Sequence, residues 1–177
     1  MSLAKKCLVL GGDGFLGSHL VDDLLARGYD VRVFDRFQKG RIKNLNHLKG
    51  KIEFYKGDFL NKWHVSRALK GVDYVFHFVS LSTPASTAND PQKEIKLNLE
   101  GTLQLLDLCV KHGVKKIIYP SSGGAVYGNA LDEVASETTQ ARPMSPYAVT
   151  KLAIEEHLHF YRRQYDLPFV IYRIANP

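Results

Sequence analysis

An α/β fold, a doubly wound parallel sheet with helices on both faces, is what this sequence predicts. Two observations carry that expectation: short apolar runs alternate with segments of helical period along the chain, and glycines punctuate the junctions between them. With 177 residues, 45% of them hydrophobic, the chain is long enough to bury one substantial core as a single domain.

The elements follow in order. Cys7 to Leu10 is an apolar run ended by Gly11 and Gly12, and reads as the first strand. From Phe15 to Ala26, Leu16, Leu20, Leu24 and Leu25 recur at helical spacing, and Gly28 closes the helix. Val31 to Phe34 is a second strand with Asp35 at its carboxyl end. The less regular stretch from Gln38 to Lys49 admits a short helix, and Ile52 to Tyr55 a third strand. Trp63 to Leu69 reads as a helix stopped by Gly71, followed by a strongly apolar fourth strand from Val72 to Val79. The Ser, Thr and Pro content of Ser80 to Pro91 predicts a loop. A long helix from Ile95 to Val110 carries Leu99, Leu103, Leu106 and Val110 on one side. Lys116 to Tyr119 is a fifth strand, Ser121 to Pro146 a loop, Tyr147 to Tyr165 a second long helix and Phe169 to Tyr172 a sixth strand.

Chemistry enters at the first junction. Gly11-Gly12-Asp13-Gly14-Phe15-Leu16-Gly17 lies between a strand and a helix, the context of a Rossmann-type dinucleotide site. Glycines at 11, 14 and 17 permit a tight turn, close approach of a pyrophosphate, and close packing of helix on sheet. The helix start then offers N–H groups and a partial positive charge to the phosphates. Asp35 ends the second strand about 20 residues downstream, where a carboxylate accepts hydrogen bonds from the ribose hydroxyls. It also repels a 2′-phosphate, which favours NAD over NADP, and the adjacent Arg36 partly offsets that repulsion. After the third strand, the Asp58 carboxylate suits the adenine amine, and the N–H of Phe59 a ring nitrogen. Phe78, Val79 and Ser80, where the fourth strand ends, complete the expected cofactor contacts on the strand side.

Other features point to bland roles. The net charge of +6 is spread in pairs such as Lys5-Lys6 and Lys115-Lys116, with no basic run to suggest nucleic-acid binding. Cys7 and Cys109 fit no metal-ligand spacing and read as small buried hydrophobes. His77 has apolar neighbours and no second ligand at useful spacing, so it reads as a core histidine, and no metal site is expected. The first strand starts too early to leave a signal peptide, and no apolar run is long enough to span a bilayer, so cytoplasm is the expected address.

Tyr147 and Lys151 lie one helical turn apart and share a face. A lysine ammonium, with an oxidised nicotinamide nearby, favours the phenolate of a tyrosine whose ordinary pKa is about 10. That makes Tyr147 a base for a sugar or alcohol hydroxyl during hydride transfer. The loop Ser121-Ser122-Gly123-Gly124-Ala125-Val126-Tyr127-Gly128 follows the fifth strand, at the sheet end where α/β folds bind ligands. A serine hydroxyl there can hydrogen-bond the reacting oxygen.

Taken together, these motifs resemble the extended short-chain dehydrogenases/reductases, in the family of NAD-dependent sugar-nucleotide epimerases and dehydratases. The resemblance runs from Lys6 to the last residue and includes Asp35, Asp58, His77, Asn98, the serine loop, Tyr147 with Lys151, and the closing Arg173-Ile174-Ala175-Asn176-Pro177. It implies that Tyr147 is the general base and that Lys151 orients the nicotinamide ribose and lowers the tyrosine pKa. Asn98 then helps hold the cofactor and the site's geometry, and Ser82 and Thr83 touch the sugar. It also implies a homodimer through the helices 95–110 and 147–165, and a smaller C-terminal substrate domain beyond residue 177, so the chain is read as the NAD-binding part of a longer enzyme.

Two departures from the family pattern bear on the reaction. Relatives place a catalytic serine or threonine where this chain has Gly123; the nearest hydroxyls are Ser122, taken as the catalytic one, and Ser121 in support. Dehydratases of the family carry an Asp-Glu pair where Gly124 and Ala125 stand, and β-elimination without those carboxylates lacks its acid and base. The expected reaction is therefore epimerisation at C4 of a UDP-sugar through a transient 4-keto sugar. Alternatives are a nucleotide-sugar ketoreductase or dehydratase of the same fold, and a dinucleotide-binding module without catalysis.

Overall fold

The computed structural model describes residues 4–37, 42–82, 85, 88–128 and 135–175. Six parallel strands form one sheet in the order β3-β2-β1-β4-β5-β6. The strands are β1 (Lys6–Leu10), β2 (Asp30–Asp35), β3 (Glu53–Lys56), β4 (Tyr74–His77), β5 (Lys116–Ser122) and β6 (Phe169–Ile174). The helices are α1 (Phe15–Ala26), α2 (Lys62–Ala68), α3 (Pro91–Glu94), α4 (Glu100–His112), α5 (Gly123–Val126) and α6 (Pro146–Tyr165).

The period-2 geometry of β1 explains why the sheet needs cover on both sides. Leu8 and Leu10 point into a core completed by α2, α4 and α6, through Val65, Leu105, Leu106, Ile154 and Leu158. Cys7 and Val9 point the other way, against Val21 and Leu24 of α1 and against Leu45 and Leu48. Both cysteines are buried and free, as small hydrophobes. Arg32, an unexpected buried charge in β2, is satisfied by Glu53 at 2.7 Å and by the carbonyls of Ala68, the last residue of α2, and Lys70.

Three segments differ from the sequence expectation. The long helix does not begin at Ile95: α3 starts at Pro91, with the Asp90 side chain accepting from the N–H of Lys93 at 2.9 Å. Proline in the first turn loses nothing, because its missing N–H is one a helix start leaves unpaired anyway. From there the chain runs helically to His112, passing through one π-helical turn, Ile95–Leu99.

β5 extends past Tyr119 through Pro120 to Ser122. A proline is tolerated there because β4 pairs with β5 only as far as Ile118, so no ladder bond is lost on that side. Within the expected loop from Ser121, the chain forms α5, capped by the Ser122 side chain, which accepts from the N–H of Ala125 at 3.2 Å. Among the described residues of the irregular stretch after β2, Asn46–Leu48 forms a 3-10 turn.

The strand order fixes where a ligand can bind. The chain leaves β1 toward β2 and β3 on one side, then crosses to β4, β5 and β6 on the other. A crevice opens outside the carboxyl ends of the strands where that reversal occurs, between β1 and β4.

Candidate active site

The glycine turn occupies that crevice. The N–H of Gly11 donates to the carbonyl of Phe34 in β2 at 2.8 Å, and the N–H of Phe78 donates to the carbonyl of Leu10 at 2.9 Å. A Cβ at Gly11, whose φ is +75°, would lie 2.9 Å from the Phe78 carbonyl, so the turn sits against the end of β4. A Cβ at Gly17 would lie 2.4 Å from the Gly11 oxygen, which is the closeness of α1 to the turn. Gly14 caps α1 without a side chain, so the first-turn N–H groups receive no acceptor from their cap.

Gly11, Gly14, Asp35, Arg36, Phe59, Phe78, Val79 and Ser80 line one continuous cleft along this crevice. The cleft brings the backbone of the glycine turn and the Asp35 carboxylate onto one surface. Phe15 and Leu16 are exposed in the first turn of α1, Phe15 at 66%. Asp58 lies off the cleft, in a neighbouring hollow with Lys56 and His64. Its carboxylate accepts from the N–H of Leu60 at 3.0 Å, and its own N–H donates to His64 Nδ1 at 3.1 Å.

Asp13 escaped the sequence reading, yet it orders this end of the site. Its N–H donates to Asp35 Oδ2 at 3.1 Å, while its carboxylate accepts from the N–H groups of Lys43, Asn44 and Leu45. The side chain thereby ties the segment after β2 over the glycine turn. An acidic residue inside a glycine-rich turn was the available signal.

Deeper in, Tyr147 and Lys151 of α6 line a small enclosed cavity with His77 of β4, Tyr119 of β5, and Glu94 and Asn98. Lys151 Nζ donates to the carbonyl of Pro120 at 2.9 Å and lies 4.7 Å from the Tyr119 ring centre and 5.6 Å from that of Tyr147. His77 is the expected core histidine: Nε2 pairs with Thr102 Oγ1 at 2.8 Å, and burial pushes its pKa down to about 3. Among the described residues no cluster of three metal-ligating side chains occurs.

The electrostatics depart from expectation. Tyr147 is not drawn toward the phenolate in the protein alone: burial, then the Glu94 charge, pushes its pKa up. Burial lowers Lys151 to about 8, with Glu94 and Glu155 opposing the fall. Desolvation outweighs the mutual help of the pair, because both groups sit in the same enclosed space.

A sign follows for stability. Between pH 8 and 10.5 the unfolded lysine holds a proton that the folded one has released, so Lys151 costs stability below about pH 8, and that cost fades as pH rises to 10.5. Lys151→Met is expected to raise stability at pH 6–7 by about 1–3 kcal/mol, after allowing for the lost bond to Pro120. The gain should shrink above pH 8; thermal melts across pH 6–10.5 check it.

The serines are placed differently from expectation. Ser121 is buried and its hydroxyl donates to the Glu155 carboxylate, which Arg173 also holds at 2.7 Å. It anchors α6 to β5 rather than supporting a reacting oxygen. Ser122 ends β5 and caps α5; accepting from Ala125 leaves its own proton to donate. Among the described residues neither serine lines the Tyr147–Lys151 cavity. A Cβ at Gly123 would lie 2.9 Å from the Arg173 carbonyl of β6, which explains glycine at that position.

Ser82, expected to touch a sugar, is instead buried, its hydroxyl donating to the Glu94 carboxylate. Asn98 holds the same loop: Oδ1 accepts from the N–H of Leu81 at 2.9 Å, and Nδ2 donates to Ser82 Oγ at 2.6 Å and Glu94 Oε1 at 2.8 Å. Thr83 lies outside the described residues.

Comparison with known proteins agrees with this geometry. Residues 7–177 match the model of the NAD dependent epimerase/dehydratase family. A UDP-glucose 4-epimerase of Mycolicibacterium smegmatis is 36% identical over 170 residues, covering 92% of this chain and 53% of that protein. The structure of a Thermus thermophilus UDP-glucose 4-epimerase in complex with NAD aligns with a TM-score of 0.86 and 40% identity, over 94% of this chain and 53% of that one. A double mutant of a dTDP-glucose 4,6-dehydratase from Streptomyces venezuelae with NAD bound aligns at 0.83 and 32% identity, over 93% and 54%. The chain thus spans about half the length of the relatives it matches.

Proposed function

Because this chain belongs to the NAD dependent epimerase/dehydratase family, we propose that it is the NAD-binding part of an enzyme that inverts C4 of a nucleotide-diphosphate sugar, a UDP-sugar. The observation that carries the reading is the joining of two sites: the glycine cleft between β1 and β4 lies beside the cavity of Tyr147 and Lys151, and Val79 and Ser80 line both.

The residues divide the work. Gly11, Gly14 and Gly17, with the start of α1, hold the pyrophosphate; Asp35 takes the adenosine ribose, excluding a 2′-phosphate by its charge. When bound there, NAD would supply the acceptor and donor of the C4 hydride. Tyr147 Oη takes the proton of the C4 hydroxyl and returns it to the same oxygen once the 4-keto sugar has turned its other face to the hydride donor. Lys151, held by the Pro120 carbonyl, binds the nicotinamide ribose and supplies the positive charge that stabilises the phenolate. The raised pKa of Tyr147 in the protein alone suits this division, since the base then forms only when the oxidised cofactor's charge arrives.

Ser122, with a proton to donate, hydrogen-bonds the reacting oxygen; Ser121 serves the scaffold. Gly124 and Ala125 stand where a dehydratase carries its acid and base, which favours epimerisation over elimination. The substrate's nucleotide falls to a C-terminal domain outside this chain. Two copies pair through the helical faces that expose Ile95, Val149 and Phe160.

The test is conversion of UDP-glucose to its C4 epimer by the longer protein, followed by chromatography of the sugar nucleotides. Ser122→Ala is expected to lower kcat by about 10²-fold, as loss of one oxyanion donor does. Gly123→Ser is expected not to restore it, because its Cβ meets the β6 backbone. Absence of any epimer from UDP-sugars would overturn the reading.

A further inference from the structure

The buried acid Glu94 stands outside every motif of the sequence and outside the roles above. It is 1% exposed, sits at the last position of α3 just before the π-helical turn, and lines the cavity that holds Tyr147 and Lys151. Its two oxygens are separately engaged: Oε1 accepts from Asn98 Nδ2 at 2.8 Å, and Oε2 accepts from the Ser82 hydroxyl. Asn98 in turn grips the N–H of Leu81, in the loop that leaves β4 beside the cofactor cleft. Asn98 lies within the π turn, and such turns recur at functional sites.

Charge bookkeeping around the pair singles Glu94 out. From β4 the pair meets His77, neutral at working pH. From β5 it meets Tyr119, whose pKa is raised well above its ordinary value by burial, so it too is neutral. On α6 itself, Glu155 is held by Arg173 of β6 in a fork of contacts at 2.7–3.2 Å. The carboxylate on the α3 side, in the same enclosed space as the lysine, is Glu94. A buried cation without a nearby anion sheds its proton.

We propose that Glu94 is a positioning residue for the Tyr147–Lys151 pair, its buried carboxylate orienting the Asn98 amide and supplying the negative charge that Lys151 meets across the cavity. It acts through those residues and touches no substrate. The significance for catalysis rests on the function proposed above; the charge relationship does not. Glu94 raises the pKa of both Lys151 and Tyr147, so removing its charge moves both titrations to lower pH.

The test reads Lys151 directly, in protein labelled at the lysine ε-carbon, by NMR titration without any sugar. In Glu94→Gln the Lys151 midpoint is expected to fall below that of the wild type, while Glu94→Asp, which keeps the charge, stays nearer to it. An unchanged midpoint in folded Glu94→Gln overturns the proposal. Should that variant not fold, the wild type decides: with the glutamate carboxyl carbons labelled, Glu94 is expected to show an inflection at the Lys151 midpoint, and a flat response there overturns it. Neither readout needs turnover, so a failure to epimerise sugars leaves the result interpretable.

Discussion

Tyr147→Phe is expected to lower kcat by about 10²–10⁴-fold, the range general-base catalysis contributes, with little change in fold or in NAD affinity. The half-buried ring keeps its place on α6 and its 5.6 Å contact with Lys151, so the substitution removes one oxygen and little packing. On the proposed reading the pyrophosphate and adenosine lie elsewhere, along the cleft lined by Gly11, Gly14 and Asp35. A fall in kcat with unchanged cofactor affinity and unchanged thermal melting identifies the phenol as the proton carrier. Equal losses of affinity and rate would place the tyrosine among the cofactor's supports instead. The rate is best followed across pH 6–10, because in the wild type the base must be drawn below the raised pKa that burial gives it.

The second large effect belongs to Gly17. Its added Cβ would stand 2.4 Å from the Gly11 oxygen and 2.8 Å from the Gly12 Cα, both backbone atoms that cannot swing aside. Gly17→Ala must therefore push α1 away from the turn. The expected cost is about 1–3 kcal/mol of stability, as for overpacking in general, with at least a tenfold loss of NAD affinity from the displaced cradle. Gly14→Ala is the internal comparison: its Cβ would meet the same oxygen at 3.1 Å, at an ordinary φ of −75°, so a smaller loss is expected. Denaturant melts and a fluorescence titration with NAD measure both. Equal, small effects at the two positions would mean that the turn does not depend on close helix packing.

Much of the fold was legible because its signals are local and repeated. The apolar runs of β1 and β2 and the leucine spacing of α1 give strand, helix and strand without further help. The glycine turn and Asp35 announce the cofactor end, because few other constraints place three glycines between a strand and a helix. What the sequence hid depends on contacts between distant segments. Pro91 reads as loop composition until Asp90 is seen capping α3. Pro120 reads as the end of a strand until β4 is seen to stop short of it.

The site shows the same division. Tyr147 and Lys151 are one turn apart, a spacing that becomes specific only beside the glycine turn and the serine loop after the fifth strand. Ser121 and Ser122 are neighbours in sequence, yet strand alternation sends one toward Glu155 and leaves the other to cap α5. Ser82, expected at the sugar, instead meets Asn98 and Glu94, and Glu94 belongs to the turn of helix that precedes Ile95. Glu94 carried no motif at all. Its place is set by the fold of α3 against α6, and the burial that raises the Tyr147 pKa in the protein alone likewise could not be read from spacing.

The most direct measurement of the central claim is a reaction of the longer protein with UDP-glucose in deuterium oxide, with NMR of the products. Transient oxidation at C4 with return of the same hydride predicts the C4 epimer carrying no solvent deuterium on its ring carbons. Deuterium in the sugar ring would contradict it by showing deprotonation at carbon, and a deoxy keto sugar in place of the epimer would make elimination the reaction.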